Sequence, residues 1–316
     1  GSTLSTTFFL LYINDIIKTV TKSSVYTYAD DTTLIITATT INALEELAQS
    51  ELTNLINYFH QNNLVPNPTK TNYSIFYPRK PEPIELKIQT IILKQNSDAP
   101  LLGLAVQDNL THQKTITNII KKLQPIMQSL KYANKLLPTQ ILRDQYFTHV
   151  YPHLIGNISI WGTADCKKTY IQPLIRTQKK IIRLIKNLAP KAHTKPIMTE
   201  LKILNITNLY ILKTCAETHP FIHIKGIRNR PEHNHNYIPI AQIHDYPTRH
   251  SQQQHFYIPN KSHRNTRTTP LTHAIDYITE RNTRTWNSIP QEIRNITHNK
   301  TFKVKLKQYL LTKQAL

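Results

Sequence analysis

Residues 23–40 read SSVYTYADDTTLIITATT. Two runs of strand-forming residues flank the middle: Val25, Tyr26 and Tyr28 before it, Leu34, Ile35 and Ile36 after it. Between them stand Asp30 and Asp31. Aspartate is a poor strand residue, and adjacent carboxylates repel each other at neutral pH. Aspartate is a good turn residue, so the pattern predicts a β-hairpin with the pair at its tip. Two carboxylates there form a hard oxygen site. Mg2+ takes such ligands, usually one or two carboxylates plus substrate phosphates. A pair of such ions can activate an attacking hydroxyl and stabilise the leaving oxygen of phosphoryl transfer. An ordinary Asx turn in a solvated hairpin would account for the same tetrapeptide, so the rest of the chain must decide.

Outward from the hairpin, Phe8, Leu11, Tyr12 and Ile16 recur at helical spacing within residues 4–20. Leu44, Leu47, Leu55, Ile56 and Phe59 do so within residues 41–63, and PNPTK at 66–70 ends that helix. Residues 72–78, 84–93 and 100–106 read as strands. Residues 1–110 are therefore expected to form an α+β unit with an antiparallel sheet. Beyond it the pattern is mostly helical, with helices expected over 114–136, 139–160, 168–188 and 197–219. Residues 220–270 are rich in His, Asn, Pro, Arg and Gln and read as irregular. Near the end, Ser288 and Gln291 have capping-box spacing with Pro290 in the first turn. Phe302, Leu306, Tyr309 and Leu310 then share one helix face.

Composition narrows the function. The chain carries 39 Lys+Arg and 19 Asp+Glu, a net charge of +20. Residues 1–100 hold 7 and 9 of these, leaving 32 and 10 for the remainder, a net of +22. A basic excess confined to one part of a chain points to a polyanion, most often nucleic acid. Only 5 glycines are present, where average usage of ~7% would give about 22, so a glycine-rich phosphate loop is not expected. Two cysteines, Cys166 and Cys215, cannot build a disulfide framework and fit a reduced intracellular compartment. No apolar run approaches the ~20 residues of a membrane span. The chain opens at Gly1 without a methionine and is expected to be a piece of something longer.

Tyr28-Ala29-Asp30-Asp31 resembles the catalytic hairpin of reverse transcriptases. The flanking text is similar to one branch, the reverse transcriptases of non-LTR (LINE-type, jockey-like) retrotransposons. Gly1-Ser2-Thr3-Leu4-Ser5 with Phe9-Leu10-Leu11-Tyr12-Ile13-Asn14-Asp15-Ile16 resembles that family's GSxLSP…LFxxYINDI segment. Asn67-Pro68-Thr69-Lys70-Thr71 is similar to its NxxKT segment, and Leu102-Gly103-Leu104 with Asp108 and Leu110 to its LGV…D…L segment. Trp161-Gly162, Tyr246-Pro247-Thr248-Arg249 and Trp286-Asn287-Ser288-Ile289-Pro290 resemble C-terminal landmarks, all in the family's order. Thr6 stands where the family has proline.

The resemblance implies a partial polymerase palm over 1–110, a thumb-like helical region over 111–190 and a C-terminal helical and irregular basic region over 191–316. It implies RNA-directed DNA polymerase activity with an RNA template, a DNA primer, deoxynucleoside triphosphates and two Mg2+ ions. Asp30 and Asp31 would be metal ligands, Asp30 the firmer. Lys70 would protonate the departing pyrophosphate or hold phosphate charge; a solvated turn lysine is the plain alternative. Gly1, Ser2, Tyr28 and Ala29 would lie near the nucleotide and template. Gly103 would sit in the strand segment that positions the primer end, or would simply mark a bulge. The family's third carboxylate and its fingers would lie upstream of Gly1, so the chain alone is expected to show little or no polymerase activity. Action in the nucleus and cytoplasm is the corresponding expectation.

Residues 170–191, YIQPLIRTQKKIIRLIKNLAPK, form the clearest amphipathic helix. Ile171, Leu174, Ile175, Ile181, Ile182, Ile185 and Leu188 share one face; Arg176, Lys179, Lys180, Arg183 and Lys186 share the other, with no acidic residue between. Such a stripe can track the phosphates of a template–primer duplex, with steep salt dependence. His219 with His223, and His233 with His235, have metal-binding spacings, but no CxxC accompanies them and zinc is disfavoured. Trp161 and Trp286 read as core anchors. Two other readings remain: a non-catalytic nucleic-acid-binding protein, and a viral-type RNA-templated RNA polymerase, against which the C-terminal landmarks argue.

Overall fold

The computed structural model describes residues 4–76, 84–108, 111–162, 168–223, 255–256 and 280–315. The chain divides into two compact units, Gly1–Lys114 and Thr115–Leu316.

The first unit is organised around one helix, α2 (Ile41–Gln61), which follows α1 (Ser5–Tyr12) in the chain. The Thr40 hydroxyl accepts from the Ala43 amide at 3.2 Å and caps the start of α2. Its end is a Schellman turn: Asn63 takes a left-handed backbone (φ 51°), and the Leu64 and Asn63 amides donate to the Phe59 and His60 carbonyls. Two apolar clusters lie against α2. Ala48 and Ile56 pack with Ile75, Ile84, Leu86, Ile88 and Leu93. Leu55 and Tyr58 pack with Ile13 and Ile16, and Val25 leans on them.

Helix α1 departs from its expected packing. Phe8 and Leu11 are exposed, while Ile13 and Ile16 are buried. The α-helix stops at Tyr12 and a 3-10 turn follows over Asn14–Lys18. Its threefold repeat brings Ile13 and Ile16 onto one side, which the α-helical period does not foresee.

The expected α+β character holds, but the strands form pairs and no continuous sheet among the described residues. β1 (Ser24–Tyr28) pairs antiparallel with β2 (Asp31–Ile35). β3 (Asn72–Tyr73) pairs with β6 (Lys94–Gln95) in parallel, contrary to the all-antiparallel expectation. Between them, β4 (Lys87–Ile88) and β5 (Ile91–Ile92) make a small hairpin, so the run expected as one strand folds back at Gln89 (φ 55°). β7 (Asp98–Leu101) and β8 (Leu104–Gln107) form another. Side chains of α2 serve the edge of this region. Gln49 accepts from the Lys87 amide at 2.9 Å and donates to its carbonyl at 3.0 Å; Glu45 accepts from the Glu85 amide at 2.8 Å.

The second unit is helical: α3 (Gln113–Ala133, entering from the first unit), α4 (Thr139–Gln145), α5 (Tyr151–Ile155), α6 (Ile158–Trp161), α7 (Lys168–Ile185), α8 (Lys195–Glu200), α9 (Ile206–His223) and the C-terminal helix Asn299–Ala315. The single helix expected over 139–160 is broken. A π-helical turn, Tyr146–Val150, precedes Pro152, which lacks an amide hydrogen and crowds the turn before it. Asn157 (φ 54°) then separates α5 from α6. Trp161 is fully buried and its indole donates to the Gly156 carbonyl at 2.7 Å. Gly162 must be glycine: a Cβ there would meet the Ile158 carbonyl oxygen at 2.6 Å. Trp286 stacks on Phe302, centroids 5.4 Å apart. Of the face expected from sequence, Phe302, Leu306 and Leu310 are buried and Tyr309 is half-buried. The C-terminal helix is tied by polar groups too, to the segment leading into α9: the Gln314 amide accepts from the Asn205 backbone at 2.8 Å and donates to the Ile203 carbonyl at 3.1 Å. The capping box at Ser288 does not form. Pro290 occupies the cap position, and the Ser288 hydroxyl donates back to the Thr285 carbonyl. No helix among the described residues is long and apolar enough to cross a membrane.

Candidate functional site

The hairpin register is Ser24 opposite Ile35 through Tyr28 opposite Asp31, leaving Ala29 and Asp30 as a two-residue turn. Such turns need a positive φ at the first position, and Ala29 supplies it at 53°. Glycine is the usual occupant; alanine there carries roughly 1–2 kcal/mol of steric cost. Asp30 is thus the second turn residue and Asp31 the first residue of β2. Tyr28, Tyr26 and Thr33 share a face with Asp31 by register, and Tyr28 and Tyr26 are 66% and 56% exposed. On the opposite face Val25, paired with Leu34, reaches the core.

Both aspartates are exposed, and neither takes part in an ion pair among the described residues. The donor set is two adjacent carboxylates without neutralising cations, which fits an Mg2+ ion that keeps waters or substrate phosphates as its other ligands. No group of three or more His, Cys, Asp or Glu gathers among the described residues.

The hairpin's base is fixed by a residue that sequence reading missed. Glu51, on α2, is 2% exposed. Its carboxylate accepts from the Thr21 amide and hydroxyl, the Lys22 amide and the Ser23 hydroxyl, the three residues entering β1. Burial alone would push its pKa up, but these hydrogen bonds together outweigh burial and hold it below the ordinary value. A signal was present: Glu51 falls on the apolar side of α2, three residues after Ala48 and four before Leu55, where a carboxylate requires donors. Nearby, the Tyr58 hydroxyl donates to Asp15 at 2.7 Å. Burial, then the Asp15 carboxylate, push that hydroxyl up to about 12.

Lys70 is exposed on a built turn. The Asn67 side chain accepts from the Thr69 amide and hydroxyl at 3.0 and 2.7 Å, and the Asn67 carbonyl accepts from the Lys70 and Thr71 amides. The N-P-T-K-T spelling is thus a turn recipe that leaves Lys70 projecting. Gly103 (φ 84°) follows Leu102 (φ 47°) in the turn between β7 and β8. It lies in the turn, not in a strand or a bulge, and both turn positions require positive φ. Gly1 and Ser2 lie outside the described residues.

In the second unit the amphipathic reading of α7 matches the burial. Leu174, Ile181, Ile182 and Ile185 are buried, and Arg176, Lys179 and Lys180 are exposed. Two cations of the stripe already have partners: Arg183 donates to the Ala192 carbonyl at 3.0 Å, and Lys186 meets Glu200 at 2.6 Å. His219 and His223 do not form a metal site. Their Nε2 atoms donate to the Ile296 and Arg294 carbonyls at 2.7 and 2.9 Å, fastening that loop to α9. His233, His235 and residues 246–249 lie outside the described residues. Cys215 is buried, and burial pushes its thiol pKa far up, which leaves it unreactive.

Over 148 aligned residues the chain is 28% identical to the "Probable RNA-directed DNA polymerase from transposon BS" of Drosophila melanogaster. The match covers 45% of this chain and 16% of that protein's length. The likeness supports a relation to transposon reverse transcriptases. No family model and no solved structure matches the chain.

Proposed function

We propose that the chain is part of an RNA-directed DNA polymerase of the non-LTR retrotransposon type, acting on an RNA template, a DNA primer and deoxynucleoside triphosphates. The observation that carries this reading is the hairpin that places Asp30 and Asp31 together at an exposed tip, in a chain related to a transposon polymerase. Asp30 and Asp31 would hold Mg2+. The bound ions would supply charge neutralisation and polarisation of the attacking and leaving oxygens. Tyr28 and Ala29 would border the nucleotide, and Lys70 would offer charge or a proton to the departing pyrophosphate. In the second unit, the α7 face of Arg176, Lys179 and Lys180, continued by Arg183 and Lys186, would meet phosphates of the template–primer duplex. Two carboxylates hold two divalent ions poorly, so this reading calls for a third carboxylate, which no cluster among the described residues supplies.

The test is primer extension on an RNA template with Mg2+. The chain alone is expected to bind the hybrid without extending it. Joined to the upstream polymerase sequence of its source, it is expected to add deoxynucleotides, and Asp30→Asn or Asp31→Asn should reduce the rate by more than about a hundredfold. A joined protein that binds hybrid but extends nothing would replace this reading with a non-catalytic nucleic-acid-binding one.

A further inference from the structure

Within the second unit, cations gather at a place that none of the sequence motifs marks. The Arg143 guanidinium of α4 lies over the Phe147 ring, 4.8 Å from Cζ to the centroid. The Lys307 ammonium of the C-terminal helix lies 5.5 Å from the same centroid. Phe147 itself stands in the π-helical turn, a distortion found often at functional sites. Burial lowers the pKa of Lys307, and the nearby charges of Arg143 and Lys202 lower it further. A cavity of about 480 Å³ opens here, with Arg143, Lys186 and Lys202 in its wall. Among the described residues two carboxylates are close: Glu200 is taken by Lys186, and Asp144 touches Arg143 at 3.2 Å from a largely exposed position. The four cations therefore exceed the carboxylates.

The backbone at Lys202 adds a separate observation. Lys202 has φ 55° and ends α8 in a Schellman turn, with the Ile203 and Lys202 amides donating to the Met198 and Thr199 carbonyls. The same motif ends α2 at Asn63 and α7 at Asn187. Asparagine adopts this conformation more readily than lysine, which carries a steric cost of roughly 1–2 kcal/mol there.

We propose that Arg143 and Lys307, over the Phe147 ring, together with Lys202 in the cavity wall beside Arg143, bind backbone phosphate of a nucleic-acid strand. Lys186 lies in the same cavity wall and belongs to the basic face of α7, so the site continues that stripe and suits a long polyanion rather than a lone phosphate. The proposal rests on the nucleic-acid part of the function above and does not need its catalytic part.

Fluorescence anisotropy of the whole chain with a fluorescein-labelled RNA–DNA hybrid, over a series of NaCl concentrations, tests it. Lys202→Asn is the informative variant, because it removes the charge while placing a favoured residue in the turn. Its melting temperature should hold or rise. Its affinity should fall roughly fivefold or more, and the slope of log K against log salt should shrink by about one. Lys307→Gln should behave likewise. Wild-type binding with unchanged affinity or unchanged slope in both variants overturns the site alone. A wild-type chain that binds no hybrid overturns the site together with the nucleic-acid reading.

Discussion

Helix α7 and the β1–β2 hairpin each present charge on an exposed face, but they are held by different forces. Behind the cations of α7 lie Leu174, Ile181 and Ile182, none of them accessible to solvent. Gln178, also buried, donates to the Tyr146 hydroxyl at 3.0 Å and the Leu204 carbonyl at 2.9 Å. The hairpin has Val25 against a small cluster, with Tyr26, Tyr28 and Ile35 exposed. What fixes its base is the Glu51 carboxylate. Apolar burial scales with area, about 25 cal/mol per Å², and is insensitive to pH. A carboxylate clamp is local, directional and lost on protonation. The basic face is therefore built on a stiff support, and the acidic tip on one that acid releases.

The comparison breaks first at Leu174. Leu174→Ala should destabilise the second unit by about 2–5 kcal/mol, whereas Tyr28→Ala should change the stability of the first by less than about 0.5 kcal/mol. Chemical denaturation read by hydrogen exchange in each unit measures both, and equal losses would end the distinction.

Glu51→Ala ranks next. It strands the Thr21 and Lys22 amides and the Ser23 hydroxyl, and should cost the first unit about 2–3 kcal/mol. The pH dependence follows from its lowered pKa. A carboxyl whose folded pKa is depressed stabilises fully above its unfolded value, and that stability is lost as pH falls through the folded value. Exchange protection of the β1 amides should therefore drop below about pH 4.5 in the wild type. Glu51→Gln should start lower and lose this acid limb. An identical acid limb in Glu51→Gln would remove Glu51 from the account.

The smallest effect is expected at Ala29. Ala29→Gly relieves the positive φ but adds freedom to the unfolded chain, so it should stabilise the hairpin by no more than about 1 kcal/mol. Slower exchange at Tyr28 and Asp31 would register it. A destabilised hairpin would mean that Ala29 is not strained.

The legible parts of the molecule were those governed by short-range patterns. The hairpin followed from strand runs around a turn pair, α2 from its apolar repeat, and the buried face of α7 from a period of 3.6. The turn that presents Lys70 is spelled locally by Asn67 and Thr69. Other elements were misread where an interruption changes the period: the 3-10 turn after Tyr12, the π-helical turn before Pro152 and the fold-back at Gln89. Each depends on how a few residues satisfy packing nearby, which a repeat cannot encode.

The sequence by itself determined that two carboxylates sit at a hairpin tip and that a helix of the basic region is polar on one side. These depend on neighbours within one or two turns of chain. Only the tertiary structure decided that Glu51 clamps the residues entering β1 from 28–30 positions away. The same holds for His219 and His223, which hold a loop through backbone carbonyls 77 and 71 residues distant. It holds as well for Arg143 and Lys307, which meet over one aromatic ring, and for Lys202, which shares a cavity wall with Arg143. The physical reason is common to all of them: a buried or crowded charge must find partners in space, and which partners arrive depends on the packing of elements that are remote in sequence.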